Sequence, residues 1–419
     1  MIFCLGSHVE IHSTNYLQLN DLLNVSQHGF LSKRSTLTNL LDFSSFICDA
    51  YDKGDSVDVL YFDLQKAFDK VPHDMLLYKL DKYGISNQIL QWISEWLVDR
   101  KQRVGLVLND EMSVWKNVTS GVPQGSVLGP LLFLVYINDL DDEIINLLLK
   151  FADDTKLYGL VNNQQQMLEL ENDLLKLIEW SDKWLMPLNI DKCCILHIGK
   201  KNSLHKYSIK NKELKSVTEV KDLGVIVQND LKNSKQCMFK CQSANKILGL
   251  IYRTITCRSK DIIVKLYKSL VRPIIEYCSP VWSHLLKNDS DAIEKIQKRA
   301  TKMITELKHL CYIDRLKALG LTTLRTRRLR GDLILMFKLL KGLLNVDVNK
   351  YFSFNTNTLR GHRYKLVKIR FRTNIGKFNL KNRIINEWNS LTTYILDANT
   401  LNEFKTRLDY HLKFNRGLV

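Results

Sequence analysis

The sequence predicts an α+β fold to about residue 228, followed by a basic region that is largely helical. Three observations carry that reading. Short β-branched and aromatic runs alternate with helical periodicity in the first half. Beyond Asp230 the apolar spacing becomes almost wholly helical. The charge also divides sharply: residues 1–199 hold 16 Lys and Arg against 27 Asp and Glu, a difference of −11, and residues 200–419 hold 45 against 17, a difference of +28. An acidic half suits a site that handles cations, and a long basic stretch with interleaved aromatics suits a polyanion such as nucleic acid. A solvated basic face is the plainer alternative.

The first thirty residues show little periodicity and are expected to be a ragged start. A helix is predicted from Ser35 or Thr36, with Leu37, Leu40, Leu41, Ile47, Cys48 and Tyr51 roughly along one face, stopped at Lys53-Gly54-Asp55. "VDVLYFD", residues 57–63, reads as a buried strand ending at Asp63. Pro72 opens a helical region that breaks at Gly84 and restarts at Ser86, and "QRVGLVLND" with "EMSVWKNV" predicts a hairpin. "SGVPQGSVLGPLLFLVYINDL", residues 120–140, is a Gly/Pro loop running into an apolar helix. A hairpin around residues 150–160 follows, then a helix from about Gln165 to Leu185 that Pro187 ends, then strands in "KCCILHIG" and "VKDLGVIV". "KCQSANKILGLIYR", "KDIIVKLYKSLV" and "DAIEKIQKRATKMI" are helical.

With 419 residues, 45% hydrophobic and 25% charged, the chain lies in the globular range. Its nine cysteines include no C-x-x-C pair, and Cys237 and Cys241 read as one helix face rather than a zinc knuckle, so a reducing compartment is expected. The longest apolar run, Leu131 to Ile137, is too short to cross a bilayer, and the N-terminus carries no charged-then-apolar signal pattern. An intracellular chain without membrane partners is the expectation.

"KFADDTKLYGL", residues 150–160, places Asp153 and Asp154 between two apolar runs. Turn chemistry explains such a pair in isolation. Paired carboxylates also hold divalent cations. If the strand ending at Asp63 lies beside this hairpin, three carboxylates converge, and hard oxygen ligands select Mg²⁺ or Mn²⁺. Two such ions can activate a 3′-hydroxyl and stabilise a leaving pyrophosphate, which is nucleotidyl transfer.

"YFDLQKAFDKVPH", "SGVPQGSVLGPLLFLVYINDL" and "FADDTKLYG", in this order, resemble the three core palm motifs of reverse transcriptases from non-LTR retrotransposons, with jockey-like and chicken-repeat-like elements nearest. "LNIDKCCILHIGK", "VKDLGVIV", "YKSLVRPIIEYCSPVW", "IQKRATKMI" and "FNLKNRIINEWNSL" extend the resemblance over roughly residues 27 to 410. It implies a right-hand polymerase palm with partial fingers over residues 1–228, a helical thumb over 229–305 and a basic C-terminal region over 306–419. It also implies RNA-directed DNA synthesis with two Mg²⁺ or Mn²⁺ ions, an RNA template, a DNA primer and deoxynucleoside triphosphates, in the nucleus or cytoplasm. No oligomeric state follows.

By the same resemblance Asp63, Asp153 and the Leu64 carbonyl are metal ligands, and Asp154 ligates less directly. Phe68 stands where the family has an aromatic gate against the 2′-hydroxyl, and Gln124, Gly125 and Arg34 lie near the incoming nucleotide. Lys192 is the general acid for pyrophosphate. Plainer roles stand beside these: Phe68 as core, Gln124 as a turn cap, Lys192 as a solvated loop lysine, Lys66 and Lys70 as a charged face, His73 as a helix-start residue. The sequence departs from the family in lacking an upstream endonuclease and an "RPI"-like finger motif, and in having Leu31 where a basic residue is usual. These departures point to an N-terminally truncated element, with two readings: an RNA-directed DNA polymerase, or an inactive nucleic-acid-binding remnant. A metal nuclease would leave "SGVPQG" and the Phe68 spacing without purpose.

Overall fold

The computed structural model describes residues 2–106, 111–283, 286–355 and 361–415. The chain packs as two units, one of residues 1–35, 56–197 and 201–217, the other of 36–55, 198–200 and 218–419. The mixed helix and sheet content agrees with the α+β expectation.

The first unit opens with a difference from the sequence reading. The ragged start is helix α1 (Ile2–Leu19), whose Val9, Ser13 and Leu17 recur four apart toward the core. A serine in mid-stripe hides that amphipathic face from a hydrophobicity pattern. Helix α2 (Thr36–Lys53) belongs to the second unit.

Strand β1 (Val57–Phe62) is buried along nearly its whole length, which is why it reads as a continuous apolar run rather than an alternation. Helices α3 (His73–Lys82) and α4 (Asn87–Leu97) follow, separated at Gly84, whose φ of +81° and closeness to the Tyr16 hydroxyl leave no room for a side chain. The hairpin expected next is two short ladders, β2 (Lys101–Gln102) with β5 (Lys116–Asn117) and β3 (Gly105–Leu106) with β4 (Glu111–Met112). Its expected turn at 107–110 lies outside the described residues.

Helix α5 (Leu128–Tyr136) is buried apart from half-buried Pro130, and the chain continues through β6 (Leu147–Phe151), β7 (Asp154–Leu160), α6 (Gln164–Lys183) and β8 (Cys194–Ile198). A small ladder of β9 (Ser208–Ile209) and β10 (Lys212–Glu213) precedes β11 (Lys215–Val217). The five-stranded sheet has the order β11-β8-β1-β7-β6.

Charges inside this unit are paired, as burial requires. Asp58, with no exposed surface, accepts from Asn202 Nδ2 at 2.7 Å and Tyr207 Oη at 3.0 Å and meets His197 Nδ1 at 2.7 Å. Lys79 is 3% exposed, bonds Asp139, and stands 3.6 Å from the Trp184 ring centroid.

The second unit opens with a hairpin of β12 (Glu219–Asp222) and β13 (Val225–Gln228), then α7 (Ser234–Thr254), where the helical region predicted beyond Asp230 begins and where Cys237 and Cys241 lie one turn apart. Helix α8 (Lys260–Leu266) widens into a π turn at Tyr267–Val271 before α9 (Arg272–Glu276). Pro273 cannot donate to the carbonyl four residues back, which accounts for the wider turn there. Helices α10 (Ser279–Trp282) and α11 (Lys287–Lys302) close one apolar cluster around Trp282, with α7 packed on α11. Helices α12 (Tyr312–Leu319) and α13 (Leu324–Leu340) lead to four short helices, α14 (Asn374–Phe378), α15 (Leu380–Arg383), α16 (Ile385–Asn389) and α17 (Thr393–Leu396), and to α18 (Leu401–Tyr410). These build a second cluster around Trp388, into which α2 inserts Leu41. No helix among the described residues is long and apolar enough to cross a membrane.

Burial lowers the Lys79 ammonium from 10.5 to about 8, against the pull of Asp139. Between those values the unfolded chain holds the proton that the folded chain has lost, so stability must rise with pH across that window. We expect a gain of about 2 kcal/mol between pH 8 and 9.5, absent in Lys79→Met, measured by urea denaturation of both proteins at each pH.

Candidate active site

The register of β1 against β7 builds the site. Antiparallel pairing runs from Val57 opposite Leu160 to Phe62 opposite Thr155, so the end of β1 and the start of β7 lie side by side. Strand β7 also pairs with β6, Phe151 facing Asp154, and the two-residue turn between them is Ala152-Asp153. Ala152 takes φ +55°, a left-handed conformation that a tight hairpin turn demands. Asp63 therefore leaves its strand next to the turn that carries Asp153.

Lys192 completes the group. Its Nζ lies 3.2 Å from Asp63 Oδ2, and the backbone is fixed because Asn189 N–H donates to the Asp63 carbonyl at 2.7 Å and Lys192 N–H to the Asn189 carbonyl at 3.0 Å. The Lys192 side chain is 66% exposed, so the pair adds little stability and its value is positional. Burial pushes the Asp153 carboxyl above its ordinary range, the Asp63 charge pushes it further, and a backbone hydrogen bond and Lys192 pull it back. Beneath Asp63, burial drives the Cys193 thiol up to about 11 and keeps it protonated.

The structure brings together Asp63, Asp153 and Lys192. Asp154, the next residue, is exposed as the first residue of β7. Among the described residues no three Asp, Glu, His or Cys side chains are grouped so as to hold a metal ion. Leu64 forms a bridge with Leu188 whose two hydrogen bonds are made by its neighbours, Gln65 N to Pro187 O and Asn189 N to Asp63 O. The Leu64 carbonyl takes no part in either bond.

Phe68 stacks on Phe133 with centroids 4.4 Å apart and meets Phe30 edge-on at 6.2 Å, half-buried rather than enclosed in core. The loop before α5 is tied beneath it: Val122 N–H donates to Phe68 O at 2.8 Å, and a Cβ on Gly121, at φ +89°, would meet Asp69 and Phe68 backbone at 2.7 Å. Further along, Gln124 Nε2 reaches Asp69 Oδ1 at 3.5 Å, and Gly125 adopts φ +81° with open space around it. Arg34 donates through Nη1 to the carbonyls of Val25 and Gln27, at 2.7 Å for the latter, so part of its guanidinium orders its own loop. His73 Nε2 lies 2.9 Å from Gly121 O, a positioning contact.

Residues 10–227 match the family described as reverse transcriptase (RNA-dependent DNA polymerase), just over half of the 419. The chain belongs to the reverse transcriptase family. It is 27% identical over 320 residues to the probable RNA-directed DNA polymerase from transposon BS of Drosophila melanogaster, covering 69% of this chain and 34% of that relative. To the RNA-directed DNA polymerase from mobile element jockey of the same species it is 25% identical over 295 residues, covering 67% of this chain and 32% of the relative. The relatives are jockey-like and other non-LTR retrotransposon polymerases, as the motifs implied, and this chain spans about a third of the length of these two. Among solved structures, a telomerase from Candida tropicalis in complex with a fragment of telomeric RNA aligns at 13% identity and a TM-score of 0.43, covering 96% of this chain and 56% of that one.

Sequence reasoning missed what holds the reverse transcriptase hairpin in place. Gln27 Oε1 accepts from Ala152 N–H at 2.9 Å and Gly29 N–H at 2.7 Å, and a Cβ on Gly29 would lie 2.5 Å from Ala152 N. His28 N–H and Lys150 N–H add reciprocal bonds to Lys150 O and Ser26 O, both at 2.9 Å. "QHGF" is visible as a motif, but its partner lies 125 positions away in the chain. Gln27→Ala strips the acceptor from two buried amides, at about 1–3 kcal/mol for each unsatisfied group. Faster hydrogen exchange at Ala152, by tenfold or more, with exchange in α13 unchanged, is the expected result.

Proposed function

We propose that the chain is the RNA-directed DNA polymerase part of a non-LTR retrotransposon, adding deoxynucleotides to a primer 3′-hydroxyl on an RNA template. The observation that carries the reading is the juxtaposition of Asp63 and Asp153 by the β1–β7 register, with Lys192 at 3.2 Å from Asp63, inside the segment that matches the family. In this reading residues 1–228 act as palm and partial fingers, 229–305 as thumb and 306–419 as a basic C-terminal region.

The donors suit a hard divalent cation: two carboxylates and the Leu64 carbonyl would hold Mg²⁺ or Mn²⁺, with substrate phosphates and water supplying the rest. Bound ions of this kind make a 3′-hydroxyl nucleophilic and stabilise charge on the departing pyrophosphate. Asp63 and Asp153 supply the negative charge at that point, with Asp154 contributing at longer range. Lys192, an ammonium tethered beside Asp63, delivers a proton to the pyrophosphate oxygen as it leaves. Phe68, backed by Phe133, presents a rigid ring that excludes a 2′-hydroxyl. Gln124 and Gly125 line the approach of the incoming nucleotide, where the glycine lets backbone come close, and Arg34 places positive charge near its triphosphate.

Primer extension tests this directly. With a DNA primer on an RNA template and Mg²⁺ or Mn²⁺, the chain should incorporate deoxynucleotides; Asp153→Asn should lower the rate by at least a thousandfold while primer-template affinity stays within twofold. Phe68→Ala should raise ribonucleotide incorporation relative to deoxynucleotide at least tenfold. Absence of extension by the unaltered chain, with salt-dependent nucleic-acid binding intact, would replace the polymerase reading with that of a binding remnant.

A further inference from the structure

A second candidate site lies wholly within the second unit, and it is built of cations. The C-terminal end of α7, the loop after it, the last turn of α11 and the start of α12 enclose a pocket of about 570 Å³. Thr305 N–H bonds the Arg258 carbonyl at 3.3 Å and pins the loop to the segment after α11. Arg258, Lys298, Arg299, Lys302, Lys308 and Arg315 line the pocket, and no carboxylate does. None of these six is ion-paired with an acid among the described residues. Like charges this close repel one another unless anions gather between them.

Lysines at a helix C-terminus have an ordinary use, which is to answer its free carbonyls. Here Arg315 fills that role. Only 7% exposed, it donates to Leu310 O at 2.7 Å, Lys298 O at 3.5 Å and Thr301 Oγ1 at 3.2 Å. Lys298, Lys302 and Lys308 are exposed, and Lys298 Nζ lies 5.2 Å from the centroid of the Tyr312 ring.

The Arg258 guanidinium lies 3.9 Å from the centroid of the Tyr252 ring and bonds Tyr252 O through Nη2 at 3.2 Å, while its buried Nε has no hydrogen-bond partner. One face of the ring is thus covered by a cation, and the residue is still 50% exposed. An aromatic platform beside a row of cations matches a strand whose bases are unstacked, one base on the ring and successive phosphates on the lysines. A duplex, with its bases stacked inside, has no use for the ring.

We propose that this pocket binds a single-stranded polynucleotide, with a base stacked on Tyr252, one phosphate attracted by the Arg258 guanidinium charge, and neighbouring phosphates held by Lys298, Lys302 and Lys308. The proposal deepens the polymerase reading by giving the second unit a grip on unpaired template or displaced strand. It is tested without nucleotides or divalent metal, so failure of polymerase activity leaves the result intact.

The experiment uses the full chain and fluorescein-labelled 20-mers, oligouridylate RNA and oligodeoxythymidylate DNA, with anisotropy read across a salt series. The triple variant Lys298→Gln, Lys302→Gln, Lys308→Gln should bind at least tenfold more weakly, with the slope of log K against log salt shallower by about 2, as three lost phosphate contacts require. A control removing the same charge from exposed Lys341, Lys350 and Lys368 should stay within twofold. Tyr252→Ala should cost fivefold or more with its salt slope unchanged. A larger loss with the RNA arm assigns the pocket to template, and a larger loss with the DNA arm assigns it to a DNA strand. Equal losses in triple variant and control, or an equal loss for a 20-base-pair duplex, would overturn the proposal.

Discussion

Lys150 has no exposed surface, and the geometry of the β6–β7 hairpin hangs from it. Its Nζ donates to the carbonyls of Ile137 and Asn138 at 3.1 Å each and pairs with Asp141, whose other oxygen accepts from Ser26. One ammonium therefore ties the end of α5, the segment between α1 and α2 and strand β6 to a common point. Burial lowers its proton affinity, with Asp141 opposing, and a charge placed there is tolerable only with every partner present. Backbone bonds to Ser26 and His28 flank it, so Asp153, three residues on, inherits a position set by buried chemistry rather than by the turn alone.

Much of the first unit could be read from the chain because its strands are short apolar runs bounded by Gly, Pro and Asp. β1, the 147–160 hairpin and α6 fall where the pattern puts them. α1 does not, since its inward face runs through Ser13, and the 102–118 hairpin resolves into two small ladders. At the site, Asp63 and Asp153 could be paired from motif order because a strand end and a hairpin turn are local features. Asp154 was grouped with them by adjacency to Asp153 and stands exposed at the start of β7. Lys192 was found only through resemblance, as nothing local distinguishes it from a solvated lysine. Gln27 escaped altogether, since its acceptor oxygen serves an amide in another part of the chain.

The second unit shows where composition helps and where it stops. Its charge announces a polyanion, yet many of its cations are already committed: Arg327 to Glu276, Arg383 to Asp332 at 2.9 Å, Lys381 to Asp49 at 2.5 Å. Counting them would overstate the binding surface. Sorting cations by whether an acid answers them and whether they share one pocket picks out the cluster around Arg258, a distinction that only coordinates supply.

The Asp58 network has a consequence for how this sequence can drift. His197, Asn202 and Tyr207 all converge on one carboxylate, so changing Asp58 alone strands His197 and Tyr207 and leaves the Asn202 amide the Val57 carbonyl at 3.3 Å, and changing any of the three leaves a buried charge short of partners. Each single step is costly, and only a concerted exchange for apolar residues of similar volume escapes the penalty. In copies of such an element released from selection on activity, these four positions should change together or not at all for as long as the chain still folds. Their joint history would then record when a lineage last needed a folded protein, independently of what happened at Asp63 and Asp153.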